Sequence, residues 1–336
     1  MISLRSFWSR IDKFLAAILL TVAFAAVMPA RGDAAAAVSW LADAAIVLLF
    51  FMHGAKLSPE EALLGARHWR LHVMVFLGTF ALFPVLGMSA RFLAPTFLPG
   101  PLWAGVILLT ALPSTVQASI VFTSVAGGNV PAAVCSATAS SLLGVFLTPL
   151  IAGFLLTRHG LDISAHAIVG IVAQLLLPFV AGQILRPWIG AFLTRHPFAL
   201  KSVDYGSILI LVYSAFSHGV VAGIWHQIDA GDLIRVALVD IALLASVMTI
   251  LTLASRQLGF SRADEIAIVF CGSKKSLVNG IPIATLLFAG HVGLVVIPLM
   301  LFHQIQLMVC ASLARHYAAR QIKANESLSA LPAPSA

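Results

Sequence analysis

With 336 residues, 60% of them apolar and only 10% charged, the chain is too poor in charge to be a soluble globular domain. Its formal net charge is +7, but the basic residues are dispersed and no aromatic–basic stripe accompanies them, which excludes a nucleic-acid partner. Cys135, Cys271 and Cys310 stand far apart inside apolar runs, so they form neither a metal-ligand spacing nor a disulfide framework.

Ten apolar spans are predicted in chain order, near residues 14–30, 38–55, 71–92, 102–126, 130–157, 165–186, 205–225, 233–255, 264–289 and 292–315. Each reaches the roughly 17 residues that a membrane crossing needs. The segment 58–70, SPEEALLGARHWR, is too charged to cross. Ser58 as N-cap, Pro59 in the first turn and the acids that follow predict a short interfacial helix there. Connections are short and leave no room for a second domain. The tail at 321–336, ending SALPAPSA, is expected to be disordered and cytoplasmic.

Orientation follows from Lys and Arg. Of the twenty, fourteen fall on the side of the two termini, four (Arg31, Arg91, Arg158 and Arg235) on the other, and Lys274 and Lys275 are left over. Both termini are therefore expected in the cytoplasm of a bacterial inner or plasma membrane. A cleaved signal peptide is an alternative for the first span, since positive charges precede a run containing AFAAVMPA; cleavage would invert the remaining spans against the charge bias. Another alternative ends a cytoplasmic loop at the lysines, with one span over 277–302, and it too opposes the bias.

In the preferred reading Lys274 lies about ten residues into span nine, roughly 15 Å along a helix, or half the hydrocarbon thickness. A lysine at that depth costs on the order of 3 kcal/mol and persists only beside a partner, a cavity or a substrate. Gly272 and Ser273 before the lysines, and Gly280 and Pro282 after them, predict an interrupted helix. Span four repeats the design: Pro113 lies mid-span and Ser114, Thr115, Gln117 and Ser119 follow it. Each broken span is fourth in a set of five, so the second set enters the membrane inverted. The expected fold is an all-α polytopic membrane protein of ten transmembrane helices in two inverted five-helix repeats, residues 1–160 and 161–320. Broken helices four and nine meet at the midplane, where half-helix N-termini favour anions.

Asp240 is the deep carboxylate expected to pair with a lysine, either as a fixed pin or as a switch opened by substrate or a proton. Asp43 is shallower. Gln174, His218, His303 and Gln304 also lie mid-span, as do Ser136, Thr138, Ser140 and Ser141 in span five; helix–helix hydrogen bonding accounts for such residues at least as readily as ligand binding.

The stretches ALPSTVQAS, GGNVPAA and GSKKSLVNGIPIA resemble the bile acid:sodium symporter family, in its sodium/bile-acid-like branch that holds the seventh vertebrate member of solute carrier family ten. The resemblance covers about Ile11 to Ala319. It implies ten spans, a core domain in which spans four and nine cross at their breaks, and a smaller panel domain that moves against it. It also implies import of an organic anion, often sodium-coupled. Carried over, Ser114, Thr115, Gln117, Ser119, Ser136, Thr138 and Ser140 are candidate substrate- and ion-binding residues; Ser273, Lys274, Lys275, Ser276 and Asn279 join them as candidates on the reading of the second break itself. The family's glutamate and glutamine at that break are absent: Phe270, Cys271, Gly272, Ser273, Lys274 and Lys275 stand there instead. Sodium needs oxygen ligands and negative charge, and an ammonium supplies neither. Weak or absent sodium dependence is therefore expected, sodium being the one cofactor that the resemblance brings in. The expected partners are membrane lipid and a small organic anion.

Two other functions fit parts of the pattern: a proton-linked antiporter, and a regulatory membrane protein that moves no substrate. An intramembrane serine–lysine enzyme does not, because adjacent helical residues point about 100° apart and neither H-E-x-x-H nor G-x-S-x-G occurs.

Overall fold

The computed structural model describes residues 13–56, 68–157, 165–221, 223, 228–288 and 292–329, and every regular element among them is helical. In chain order these are α1 (Lys13–Val27), α2 (Asp33–Lys56), α3 (Trp69–Leu77), a five-residue π turn (Gly78–Leu82), α4 (Phe83–Leu93), α5 (Gly100–Ala111), α6 (Val116–Val125), α7 (Val130–Thr157), α8 (Ala165–Arg195), α9 (Pro197–Val221), α10 (Ala230–Gln257), α11 (Arg262–Gly272), α12 (Leu277–Leu287) and α13 (Val292–Ser329). Most of the predicted interfacial helix lies outside the described residues.

Among the described residues six helical stretches are long and apolar enough to cross a membrane, and seven if α5 and α6, bent by 63° at their junction, count as one. Five of the six are only 33–50% buried along their apolar stretch, so one side of each is apolar and outward-facing; the stretch Arg262–Leu287 is 94% buried. The interrupted span with the lysines is thus wrapped by the rest of the protein, where unwound backbone is tolerated. Lys274 and Lys275 are 0% and 1% exposed, which argues against the alternative that leaves them in a solvated cytoplasmic loop.

Three boundaries differ from the sequence reading. Helices α8 and α9 run further into charged sequence, because Arg186, Arg195 and Lys201 end an apolar run without ending a helix. Helix α13 continues to Ser329, nine residues beyond Arg320, through good helix formers such as Gln321, Lys323 and Ala324; residues 330–336 lie outside the described part. Pro282, expected to help break span nine, instead sits inside α12, and the interruption is confined to residues 273–276.

Two groups of helices pack most heavily among themselves: α1, α2, α8 and α9 in one, and α3–α7 with α10–α13 in the other. Within the first group, α2 and α8 touch backbone to backbone. A Cβ on Gly54 would collide with the Phe179 carbonyl, and one on Gly182 with the Phe51 carbonyl. Small residues that let backbones approach are how membrane helices gain van der Waals contact without a hydrophobic drive. Gly54→Ala and Gly182→Ala are expected to destabilise the protein by about 1–3 kcal/mol each through overpacking. Gly206→Ala in α9, where a Cβ meets nothing within 4 Å, should instead be neutral or stabilising by about 0.5–1 kcal/mol. Thermal unfolding in detergent distinguishes the two outcomes.

Candidate functional site

Two helix interruptions face each other in the core of the second group. Helix α5 ends at Ala111 because Leu112 is extended (φ −68°, ψ 151°) and Pro113 follows; α6 resumes at Val116. Helix α11 ends at Gly272, residues 273–276 are unwound, and α12 starts at Leu277, with the Ser276 hydroxyl accepting from the Asn279 N–H at 3.3 Å. The breaks bond directly: the Ser276 N–H donates to the Pro113 carbonyl at 2.9 Å. The Ser119 hydroxyl adds a bond to the Phe270 carbonyl at 3.2 Å.

Lys275 joins three elements at this point. Its Nζ donates to the carbonyls of Thr79 (2.7 Å), Thr110 (2.7 Å) and Leu112 (2.8 Å), and lies 4.3 Å from the centre of the Phe83 ring. An ammonium has three donors and no acceptor, so this group is saturated. Thr110 and Leu112 belong to the C-terminal end of α5, whose carbonyls lack helical partners and carry the negative end of the helix dipole. The Thr79 carbonyl is free for a different reason. In the π turn the Phe83 N–H bonds the Gly78 carbonyl, five residues back. The next donor in that register would serve Thr79, but residue 84 is proline and has no N–H. Lys275 takes the orphaned acceptor. Its own peptide is held as well: Gln306 Oε1 accepts from the Lys275 N–H at 2.9 Å and Gln306 Nε2 donates to the Lys275 carbonyl at 2.9 Å.

Lys274 points the other way. Its Nζ makes one hydrogen bond, to the Ala118 carbonyl at 3.0 Å, and sits 4.2 Å and 4.9 Å from the ring centres of Phe122 and Phe270. Aromatic faces attract a cation without using its N–H groups directionally, so Lys274 keeps donor capacity that Lys275 has spent. The thiols of Cys271 and Cys310 lie within electrostatic reach of the amine.

The structure gathers most of the other predicted residues. Ser114, Thr115 and Ser119 form a hydroxyl cluster, with Ser114 Oγ 3.2 Å and Thr115 Oγ1 3.5 Å from Ser119 Oγ. The Ser114 N–H donates to Ser140 Oγ at 3.0 Å, which ties the first break to α7, and Asn279 Nδ2 reaches Ser141 Oγ at 3.4 Å, which ties the second. Ser136 is turned aside, its Oγ 2.7 Å from His72 Nδ1. Thr138 is buried in α7 and Ser273 is buried at the break with no partner for its hydroxyl. Gln117 is exposed rather than part of the cluster. Neither Ser273–Lys274 nor Lys275–Ser276 forms a hydrogen-bonded dyad, since both amines bond to carbonyls.

Asp240 is the clear correction. It is 0% exposed, neither carboxylate oxygen has a hydrogen-bond partner, and neither lysine bonds to it. Backbone carbonyls at the helix breaks took the place of the expected carboxylate, a substitution that counting charged side chains does not foresee. Gln306, Thr79, Phe83, Phe122 and His72 were likewise not singled out. Thr79 acts through its backbone, and only the Pro84 five residues on hinted at it.

One cavity adjoins the crossing through Ser140, and another lies further along α12. The first, about 200 Å³, lies between α3 and α7 and is lined by His72, Phe76, Ser136, Ser140 and Leu143. The other, about 160 Å³, lies between α2, α9 and α12 and is lined by Ser39, Asp43, Ser214, His218 and Thr285.

The model of the SBF-like CPA transporter family matches residues 12–319. An uncharacterized protein of Pseudomonas aeruginosa is 51% identical over 324 residues, 96% of this chain and 97% of its own. YfeH of Escherichia coli, provisionally named a symporter, is 50% identical over 95% of this chain and 97% of its own. The sodium/bile acid cotransporter 7 of Mus musculus is 30% identical over 79% of each chain.

The two lysines should differ when truncated. Lys275→Met leaves three enclosed carbonyls without a donor, at about 1–3 kcal/mol each, and is expected to cost at least about 3 kcal/mol. Lys274→Met gives up one hydrogen bond and two aromatic contacts but also the burial of a charge, and should cost less than half as much. Thermal or denaturant unfolding of the purified variants measures both.

Proposed function

The chain belongs to the SBF-like CPA transporter family, and from its site we propose that it is a secondary active transporter of an organic anion that works by alternating access around the two facing helix breaks. Membership makes it a multi-pass membrane transporter and not an enzyme. In the proposed arrangement ten spans form two inverted repeats, 1–160 and 161–320, with α1, α2, α8 and α9 as the panel that moves against a core of α3–α7 and α10–α13. The excess of Lys and Arg on one side supports an orientation with both termini in the cytoplasm.

The observation that carries this reading is the enclosed pair of ammonium groups at the break. Lys275 occupies a three-carbonyl cage of the kind that would suit a small cation, and holds it with a covalently tethered one. A tethered amine thus takes the place of a bound cation, and sodium becomes dispensable. Lys274, with donors to spare, and the N-terminus of α6, where Thr115 provides no side-chain cap, supply positive potential for an anion. Ser114, Thr115, Ser119, Ser140 and Asn279 line the approach between the breaks and α7.

A screen of organic anions, bile acids included, by thermal stabilisation of the purified protein tests this. Stabilisation is expected to be equal in sodium and potassium buffers and lost in Lys274→Met. In Lys275→Ala, where the cage loses its ammonium, added monovalent cation should raise the unfolding temperature, an effect absent from the wild type. A steep sodium requirement for ligand stabilisation or uptake into proteoliposomes would overturn the tethered-cation reading.

A further inference from the structure

Asp240 lies about ten residues into α10, roughly 15 Å along the helix, fully enclosed and with both carboxylate oxygens lacking a protein partner. The elements packed against α10 are α11, α13, α4 and the π turn, and apart from Arg91 on α4 their described ionisable groups are committed elsewhere or exposed. On α11, Glu265 pairs with Arg256 and Arg262, and Asp264 bonds Asn129 and Ser261. On α13, His303 meets Gln306, Arg315 bonds the Ala311 carbonyl, His316 is exposed and Tyr317 lies under Arg262. Cys271 and Cys310 sit by Lys274. The π turn has no ionisable side chain.

Helix α4 carries Arg91. Helices α3 and α4 run antiparallel to α10, with Arg70 bonded to the Leu258 carbonyl and Gly78 packed on Leu251. That register carries Arg91 to about the level of Leu238, one helical turn or less from Asp240, yet no ion pair joins them. An ionised carboxylate shut away from cations and donors is among the most unfavourable groups a protein can bury.

We propose that Asp240 is a proton-binding site inside the membrane: the carboxylic acid is the form present in this packing, and the carboxylate forms when α10 and its neighbours separate. The O–H bond breaks with transfer of the proton to water on the open side, and re-forms by taking a proton from water on the other. The site is linked to the crossing through Leu251, three turns along the same helix, whose side chain packs against Gly78 and Gly272, the residues that flank Thr79 and the lysine break. The inference does not rest on an anion being the cargo.

Infrared spectroscopy of the purified full-length protein tests it. With isotope-labelled aspartate, the wild type in neutral buffer is expected to show a protonated-carboxyl band that carries the label shift and converts to carboxylate in alkaline buffer. The band should vanish in Asp240→Asn, and in Asp240→Glu it should persist without the label shift. A wild-type spectrum with no protonated aspartate band, or one left unchanged by both substitutions, overturns the proposal. The Glu variant keeps the test decisive should the Asn variant fail to fold.

Discussion

One ammonium group holds the centre of this molecule together. Lys275 satisfies carbonyls from the π turn and from the end of α5, three acceptors that no helix can pair internally. Each broken helix would be untenable alone in hydrocarbon, where every backbone polar group needs a partner. Set face to face, the breaks solve one another's problem: a peptide N–H of the second meets a carbonyl of the first, and a side chain of the second caps the dipole end of the first. The energetic burden of burying the charge is offset by the same carbonyls it relieves.

This arrangement also explains why the surroundings are so constrained. Gln306 pairs with the Lys275 peptide on both edges, fixing the direction in which the side chain leaves the backbone. Gly144 lies flat against Pro113, and a Cβ on Gly280 would strike Leu112, so both sides of the first break are approached by residues with nothing to spare. The two lysines, although adjacent, leave the unwound stretch in opposite directions: Lys275 toward α4 and α5, Lys274 toward α6 and α13. An unwound tetrapeptide makes that divergence possible.

Most of this was legible in the sequence, for reasons that are themselves physical. Apolar runs reveal spans because lipid tolerates little else, and Pro113 and Gly272 mark breaks because they alter the backbone itself. The adjacent lysines stood out because charge is scarce here. What the sequence hid was the identity of their partners. A carbonyl oxygen is present at every position, so nothing distinguished Thr79, Thr110 or Leu112 until the chain was folded. Reading side chains alone led to Asp240, the single deep carboxylate in view, and the structure keeps it apart from both amines. Gln117 belongs to the same polar run after Pro113, but the first turn of α6 places it on the exposed side.

The separation of Asp240 from the lysines changes what each can do. A lysine paired with an aspartate would be held or released by that partner's charge, and the two would titrate as one unit. Here the amine of Lys275 is held by backbone dipoles and not by a carboxylate, so its hold on the crossing does not depend on the charge of Asp240. Asp240, in turn, has no resident cation to keep it ionised, and its charge depends on whether its helix is packed or parted. The hold of Lys275 on the two breaks and the charge on α10 are therefore independent of one another. Moving α10 changes the second without dismantling the first, which is what a carrier needs if its scaffold is to survive each turn of the cycle while its ion-binding group does not stay the same.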